Sequence, residues 1–334
     1  GCTCARKDSG LDVNQYAFCS QLAPCKIDTS RHDEDTLTWN EKTTFRSLLG
    51  GLLWLCVSRL DVIADVVLLQ SEISSPKIKH LRITNKVIGY AKGLTGPVGL
   101  HFPVLKPPLV THTFADASHG KKKTAYAQEG IVVLLCEDRL DVGQNGTLAD
   151  EDAAKLSGRC HVLHFLSRKA KRVSYSTLHA ETLSACAGKD LSQHASMRLH
   201  EVLHGAPLSS SALLRVFDTC SWIVPIDHWT DCGDFFELAS GIKVIKDDKS
   251  EKLYITSFRE DRLRGAVRRL YRVPTQSMLG DALTQSMQSD RIIQLLHKGA
   301  VIVRIILADA IRQDNSETDL ASAMAMLRSQ GKRG

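Results

Sequence analysis

The sequence LVTHTFADAS, at residues 109–118, combines a strand pattern with a single carboxylate near its end. Its β-branched and aromatic side chains favour a pleated strand, and alternation places His112, Phe114 and Asp116 on one face. An acid at a strand end often only helps to form a turn, and that alternative stays open for Asp116. The carboxylate becomes a candidate site residue through three acids that follow it in the chain.

Two apolar runs after Asp116 predict the next strands of an antiparallel meander. IVVLLC, at residues 131–136, is short enough for a buried strand, and CHVLHFL, at residues 160–166, predicts a third strand. The polar residues 137–158 between them are expected to be mostly loop. A long helix is predicted from Ser176 to about His204, and we expect its apolar stripe to face the core. The stripe consists of Ala180, Leu183, Ala187, Leu191, Ala195, Leu199 and Val202.

The remaining acids lie at the ends of later elements. IVPIDHWT, at residues 223–230, predicts a strand that ends at Asp231, and RRLYRV, at residues 268–273, predicts a fifth strand. A turn after that strand leads into a helix that carries Asp281. Glu181 lies in the predicted first turn of the long helix, where an acid also stabilises the helix dipole. A structural and a catalytic role for Glu181 are compatible.

The rest of the chain predicts further segments around this α/β region. Residues 1–36 are polar and aperiodic and are expected to form a loosely ordered lead-in. Residues 37–100 show helical periodicity and predict a small helical module. The α/β region itself is expected to span residues 105–290, followed by an Ala-rich helical tail at residues 291–334.

Composition limits the classes of protein to consider. The 334 residues carry a net charge of +6 in uneven basic clusters, which suits a polyanionic partner without requiring one. The ten cysteines form no CxxC pair, so we expect reduced, intracellular thiols and neither a disulfide framework nor a zinc site. The longest apolar run, residues 48–57, is too short to span a bilayer, and no membrane partner is expected. The chain begins without methionine, as expected for a piece of a longer protein.

The four acids Asp116, Glu181, Asp231 and Asp281 form a pattern with a chemical purpose. Four carboxylates can hold two divalent cations about 4 Å apart, one to activate water and one to stabilise the leaving oxygen in phosphodiester hydrolysis. Hard oxygen ligands are those that magnesium and manganese prefer. His179-Ala180-Glu181 also matches the start of a zinc deaminase signature, but the Pro-Cys-x-x-Cys motif that would complete it is missing.

Local sequence around each acid indicates a family. FADAS, STLHAETLSAC, HWTDCGDFFELAS and VPTQSMLGDALTQ resemble, in the same order, the ribonuclease H domain of copia-type LTR retrotransposon Pol polyproteins. Upstream, FRSLLGGLLWLCVSRLDVIADVVLL and HLRITNKVIGYAKG are similar to the connection segment after the reverse transcriptase palm. The resemblance covers residues 44–285, which is most of the chain.

The resemblance implies an α/β fold with a ribonuclease H-like five-stranded mixed sheet flanked by helices and preceded by a small helical module. It implies cleavage of the RNA strand of RNA–DNA hybrids with two Mg²⁺ ions, for which Mn²⁺ can substitute. Asp116 would bridge both metals, Glu181 and Asp231 would complete one ligand set, and Asp281 would hold the other. The implied partners are the hybrid and the rest of the Pol polyprotein, including its polymerase palm and integrase. The implied location is a cytoplasmic virus-like particle, the nucleus, or both.

Two basic clusters are candidates for contact with the phosphates of a hybrid. They comprise Lys121, Lys122, Lys123, Arg168, Lys169, Lys171 and Arg172. A charge run is more often a solvated edge, and edge lysines also discourage aggregation of sheets, so both interpretations stay open.

Departures from the family pattern support an alternative. The late motif is GDALTQ where ADALTK is common, RLDV stands where RPDI is usual, and Phe165 stands where tryptophan is common. No acid is lost, but these changes suit a catalytically degenerate remnant that only binds nucleic acid or serves as a structural module. The chain contains no aromatic-x-Asp-Asp motif, so we do not expect DNA synthesis by this polypeptide alone.

Overall fold

A computed structural model describes residues 1–94, 96–118, 126–138, 140–142, 154–245, 249–285 and 290–305. The strands are β1 (Thr3–Lys7), β2 (Gly10–Asn14), β3 (Gly99–Pro103), β4 (Leu109–Ser118), β5 (Gln128–Glu137), β6 (Leu140–Val142), β7 (Ala154–Lys169), β8 (Ile226–Thr230), β9 (Arg269–Arg272) and β10 (Ala300–Arg304). The α-helices are α1 (Tyr16–Gln21), α2 (Trp39–Leu55), α3 (Ile63–Ser71), α4 (Ile78–Gly93), α5 (Thr177–His204), α6 (Ser210–Thr219), α7 (Gly233–Ala239), α8 (Lys249–Leu263), α9 (Asp281–Thr284) and α10 (Asp290–Lys298).

The chain divides into two compact units, and the first comprises Gly1–Val104 with Ala282–Ala300. In it, β1, β2 and β3 form an antiparallel sheet. Helices α2, α3 and α4 pack around a core that includes Phe45, Leu52, Val66 and Leu81. A capping box between Thr38 and Glu41 starts α2, because each residue's side chain satisfies a backbone N–H of the other.

The loosely ordered lead-in expected over residues 1–36 is wrong, because this segment contains β1, β2 and α1. The strand β2 pairs with β3, which lies far along the sequence, so the local pattern carries no signal of the pairing. Ion pairs also fix the charged residues near position 33, since Asp33 pairs with Arg82 and Glu34 pairs with both Lys77 and Lys79. The high charge of this segment therefore reflects ion pairs with α4 and with its N-cap residue, Lys77.

Within the described residues, the second unit comprises Leu105–Asp281 with residues 301–305. Its seven-stranded sheet has the order β10-β7-β5-β4-β8-β9, and β6 pairs with β7. β4, β5 and β7 are antiparallel neighbours, whereas β8 runs parallel to β4 and β9 runs parallel to β8. The five predicted strands are therefore present as a mixed sheet, with β6 and β10 added to it.

Two predicted segments differ from the structure in this unit. Part of the expected loop at residues 137–158 is strand, because β6 pairs with the beginning of β7. The expected helical tail at residues 291–334 is helical in α10, but β10 then adds a strand beside β7. The prediction for residues 306–334, like that for residues 143–153, lies outside the described residues.

The long helix α5 packs on β4 through small side chains. Ser184 Oγ donates to the backbone oxygen of Asp116 at 2.8 Å, and Ser196 Oγ bonds to Thr111 Oγ1 at 3.2 Å. At Gly188, an added Cβ would lie 2.9 Å from the Cβ of Ala115, so glycine permits this close approach. The apolar stripe of α5 faces the core as expected over part of its length, since Ala180 is buried and Ala187, Leu191 and Ala195 pack against a buried cluster of β4 and β5. The expectation is wrong at the C-terminal end of the helix, where Val202 is 74 % exposed. Within the described residues, no helix combines the length and apolarity needed to cross a membrane.

Candidate metal centre

Parallel pairing of β4 and β8 brings two of the predicted acids to one edge of the sheet. Phe114 pairs with Trp229, so Asp116 and Asp231, each two residues further along its chain, lie side by side. Asp116 is buried on the central strand, and half-buried Asp231 follows directly after β8. Asp281 is the first residue of α9. Glu181 is the fifth residue of α5 and so lies beyond the first turn in which it was predicted.

The structure brings three of the four acids into one cluster. One carboxylate oxygen from each of Asp116, Asp231 and Asp281 lies within 4.8 Å of the others. Asp116 and Asp281 also share a side-chain hydrogen bond. Carboxylates that approach this closely repel one another unless a proton or a cation is held between them.

Glu181 lies beside this cluster and belongs to the same electrostatic group. Burial, followed by the negative charges of Asp116 and Asp231, raises the pKa of Glu181 to about 10. The backbone N–H of Ala117 donates to its carboxylate and partly offsets this rise in pKa. Within the described residues its Oε2 atom is buried without a hydrogen-bond partner. A buried oxygen left unsatisfied beside three acids is suited to a cation that enters the site.

Asp281 responds to the same surroundings to a smaller extent. Burial and the charge of Asp231 raise the pKa of Asp281 to about 6, although its hydrogen bond with Asp116 lowers it. The charges that shift the pKa values of Glu181 and Asp281 are all negative. The donor set consists of carboxylate oxygens, which fits Mg²⁺ or Mn²⁺ rather than a softer metal.

Gly280 explains one departure from the family motif. A Cβ at this position would lie 2.7 Å from the Cβ of Asp116 and 2.9 Å from the backbone oxygen of Gly130. An alanine at this position, as in the copia-type motif that the sequence resembles, would therefore force the start of α9 away from β4. Glycine allows Asp281 to approach Asp116, so this departure from the motif accompanies a tightly assembled cluster.

The basic residues predicted to contact phosphate have different surroundings. Lys121, Lys122 and Lys123 lie outside the described residues. Arg168 Nε donates to buried Glu129 Oε2 at 2.7 Å, so its guanidinium is held in an ion pair. The other three, Lys169, Lys171 and Arg172, are exposed.

The sequence pattern did not predict the aromatic rings that contact Lys169 and Arg172. The Lys169 ammonium lies 4.4 Å from the ring centroid of Tyr126, and the Arg172 guanidinium lies 5.5 Å from that of Tyr254. Tyr254 lies on α8, remote in sequence from Arg172, and no local pattern predicts that contact. Small residues of the neighbouring segments, Ala127 and Ala170, pack with Ala117 and Ala180 beside the acids.

Comparison with known proteins gives similarities to solved structures. No protein-family model and no curated protein matches the chain. The N-terminal RNase H domain of Rv2228c from Mycobacterium tuberculosis, solved as a fusion with maltose-binding protein, is 18 % identical at a TM-score of 0.30, with 56 % of this chain and 98 % of that chain covered. LC11-RNase H1, solved in complex with an RNA/DNA hybrid, is 12 % identical at a TM-score of 0.31, with 55 % and 97 % covered.

The second unit has an α/β fold, in which a mixed sheet is flanked by helices. The five-stranded mixed sheet implied by the sequence resemblance is contained in it, from β7 through β5, β4 and β8 to β9. Similarity of fold does not establish activity, which depends on the residues of the site itself.

Proposed function

We propose that this chain is a metal-dependent ribonuclease H that cleaves the RNA strand of RNA–DNA hybrids. The observation that carries the proposal is the approach of Asp116, Asp231 and Asp281 to within 4.8 Å, with Glu181 buried beside them. Repelling, partly buried carboxylates at one edge of a ribonuclease H-like sheet are costly to assemble and are suited to bind cations. They serve no evident packing purpose.

The four acids are proposed to hold two Mg²⁺ ions, with Mn²⁺ as a substitute. Asp116 would contact both ions, Glu181 and Asp231 would complete one ligand set, and Asp281 would hold the other. When bound, the cations supply activation of water and stabilisation of the leaving oxygen in phosphodiester hydrolysis. The protein positions these ligands through rigid elements, since Ser184 ties α5 to the backbone of Asp116 and Gly280 lets Asp281 approach it.

We further propose that the chain is a segment of a copia-type retrotransposon Pol polyprotein that acts during reverse transcription. The order of the local motifs around the four acids supports this context, as does the helical segment that precedes them. The polymerase palm and the integrase of the same polyprotein would then be partners. The proposed location is a cytoplasmic virus-like particle, the nucleus, or both.

The test is cleavage of a hybrid whose RNA strand is fluorescently labelled, with Mg²⁺, with Mn²⁺ and with EDTA, beside matching double-stranded DNA and RNA. We expect metal-dependent loss of the RNA strand of the hybrid alone. Asp231→Asn should lower the rate at least about a hundredfold, since several kcal/mol of charge stabilisation depends on the bound cations. Asp234→Asn is the matched control, because exposed Asp234 lies close in sequence and pairs with Lys243 outside the acid cluster.

The second candidate function is a degenerate remnant that binds the hybrid without cleaving it. Its support is the altered sequence near the acids, including Gln285 after the late motif. The same assay decides between the two, if hybrid binding is measured by fluorescence anisotropy in parallel. Folded protein that binds the hybrid but leaves the RNA intact with either metal would favour the remnant and contradict the nuclease.

A further inference from the structure

Four side chains form a contiguous aromatic and cationic group at the end of α5 that carries Glu181. We call this group, Arg172, Tyr175, His179 and Tyr254, the stacking cluster. The rings of Tyr175 and His179 are stacked, with centroids 5.6 Å apart and an interplanar angle of 10°. The ring centroids of His179 and Tyr254 lie 6.3 Å apart, and the Arg172 guanidinium lies over the Tyr254 ring, 5.5 Å from its centroid.

The stacking cluster is held in place at the N-terminal end of α5. His179 is buried, and its Nδ1 atom accepts the backbone N–H of Tyr175 at 3.4 Å. The backbone N–H of His179 in turn donates to Ser176 Oγ at 3.0 Å, which fixes the start of α5. Glu181 lies two residues further along the same helix, so α5 carries one member of the stacking cluster and one acid of the candidate metal centre within its first five residues.

Tyr175 presents an oriented ring to solvent. Its exposed fraction is 78 %, although His179 supports one of its faces. The face turned away from His179 is therefore accessible in the described part of the chain. An aromatic face that is fixed by a buried neighbour loses little conformational freedom when a second ring stacks on it.

The geometry points to an unpaired nucleobase as the ligand of Tyr175. Within a duplex, both faces of each base are covered by the neighbouring base pairs, so a side chain can stack only on an unpaired or terminal base. Exposed Lys171 and Arg172 supply the positive charge that the phosphates beside such a base require. We propose that the stacking cluster binds the first unpaired nucleotide beside a hybrid, so that hybrids with a single-stranded extension are bound more tightly than blunt hybrids.

This inference rests on the proposed function, because it assigns a preferred substrate to the same nuclease site. It is tested by fluorescence anisotropy with the full chain, in EDTA so that the RNA stays intact. Hybrids of equal duplex length are compared as blunt forms, with a three-nucleotide RNA extension, and with a three-nucleotide DNA extension. In a second readout, 2-aminopurine occupies the first unpaired position, since stacking on an aromatic ring quenches its fluorescence.

We expect the wild-type chain to bind at least one extended hybrid about fivefold or more tightly than the blunt hybrid, as one base–aromatic stack contributes. Tyr175→Ala should remove the preference and the quenching, whereas Tyr175→Phe should retain both. Tyr16→Ala is the matched control, because Tyr16 is another exposed tyrosine, at 53 %, in the other unit. Equal affinity of the wild-type chain for all hybrids, or full preference in Tyr175→Ala, would overturn the inference.

The failure of this inference is distinguishable from failure of the nuclease proposal. Cleavage of the blunt hybrid with Mg²⁺ tests the nuclease without an unpaired nucleotide. Cleavage without any preference for extended hybrids would contradict the stacking cluster alone. A preference that depends on Tyr175 in a chain that cleaves nothing would support the stacking cluster and contradict the nuclease.

Discussion

Acids at the two ends of β8, buried Asp227 and half-buried Asp231, have opposite electrostatic surroundings. At its beginning, Asp227 is 1 % exposed and accepts two hydrogen bonds from Arg268, at 2.8 and 2.6 Å. Arg268 also bonds to Asp138 at 2.7 Å, so one cation is shared by two carboxylates. Just past the other end, Asp231 lies among acids, and every charge that shifts the pKa of nearby Glu181 or Asp281 is negative.

This difference separates a structural carboxylate from a candidate ligand. Both Asp227 and Asp231 are acids at the boundary of the same short strand, and sequence position does not distinguish them. What distinguishes them is the partner, since Arg268 neutralises Asp227 within the fold, whereas the cluster around Asp231 gathers like charges. A group of acids that the fold assembles against repulsion is the stronger candidate for a functional site.

Removal of Arg268 should have the largest effect on stability. Arg268→Ala leaves Asp227 buried without its cation, and we expect the free energy of unfolding to fall by about 3–5 kcal/mol. Urea denaturation followed by circular dichroism measures this change. Arg269→Ala, at the exposed neighbouring position, is the control and should cost less than about 1 kcal/mol. A similar small loss for both variants would contradict the assigned role of Arg268.

Divalent cations should stabilise the other end of β8. With Mg²⁺ at about 100 times its dissociation constant, binding to the acids should raise the free energy of unfolding by about 2.7 kcal/mol. Thermal melting with and without Mg²⁺ measures the gain. It should be lost in Asp231→Asn and kept in Asp234→Asn, whose side chain pairs with Lys243. An equal gain in Asp231→Asn would place the cation elsewhere.

Substitution of Gly280 should separate α9 from β4. In Gly280→Ala the new Cβ meets the Cβ of Asp116 at 2.7 Å, so we expect a loss of about 1–3 kcal/mol in stability from overpacking. The displaced Asp281 should also weaken Mg²⁺ binding, as measured by titration calorimetry. Gly158→Ala is the control, because nothing lies within 4 Å of a Cβ at that position. Unchanged Mg²⁺ affinity would show that Asp281 does not depend on the close approach.

The metal-free protein should lose stability as the pH rises. The pKa of Glu181 is about 10 in the folded state and about 4.5 for a free glutamate, and the pKa of Asp281 is about 6 in the folded state and about 3.8 for a free aspartate. The folded state therefore binds more protons than the unfolded state. Stability should therefore fall between about pH 4.5 and 10 for Glu181, and between about pH 4 and 6 for Asp281. Each group contributes at most about 1.4 kcal/mol per pH unit.

The measurement is a series of urea denaturations in EDTA from pH 5 to 9. Glu181→Gln should flatten the dependence, since the neutral amide cannot titrate. Saturating Mg²⁺ should flatten it too, because the cation favours the ionised carboxylates. The assigned surroundings of Glu181 would be contradicted if the free energy of unfolding in EDTA rose with pH over this range, and rose less steeply in Glu181→Gln than in the wild-type chain.

The sequence predicted the parts of the fold that depend on local periodicity. The strands β4, β5, β7, β8 and β9 and the bounds of α5 follow apolar runs of the expected period, and the four acids could be placed on or beside them. The pairings of β2 with β3 and of β10 with β7 join remote segments, so their short strands carry no local signal.

The packing face of α5 shows a different limit of sequence reasoning. Apolar residues were assigned to the core, but Ser184, Gly188 and Ser196 face β4 because only small side chains permit the observed approach. The convergence of the acids was expected from the family resemblance. The role of Gly280 was not, since its close contact with Asp116 depends on tertiary structure.

The acid cluster draws its ligands from widely separated parts of the chain. Asp116 lies on the first strand of the mixed sheet, and Asp281 lies at the last residue of the main segment of the second unit. During synthesis, the ribosome must therefore release nearly the whole unit before the fourth acid is available. Nascent chains and fragments that end before Asp281 lack the complete set of four acids, so under the proposed function only the whole unit would bind the cations and cleave RNA.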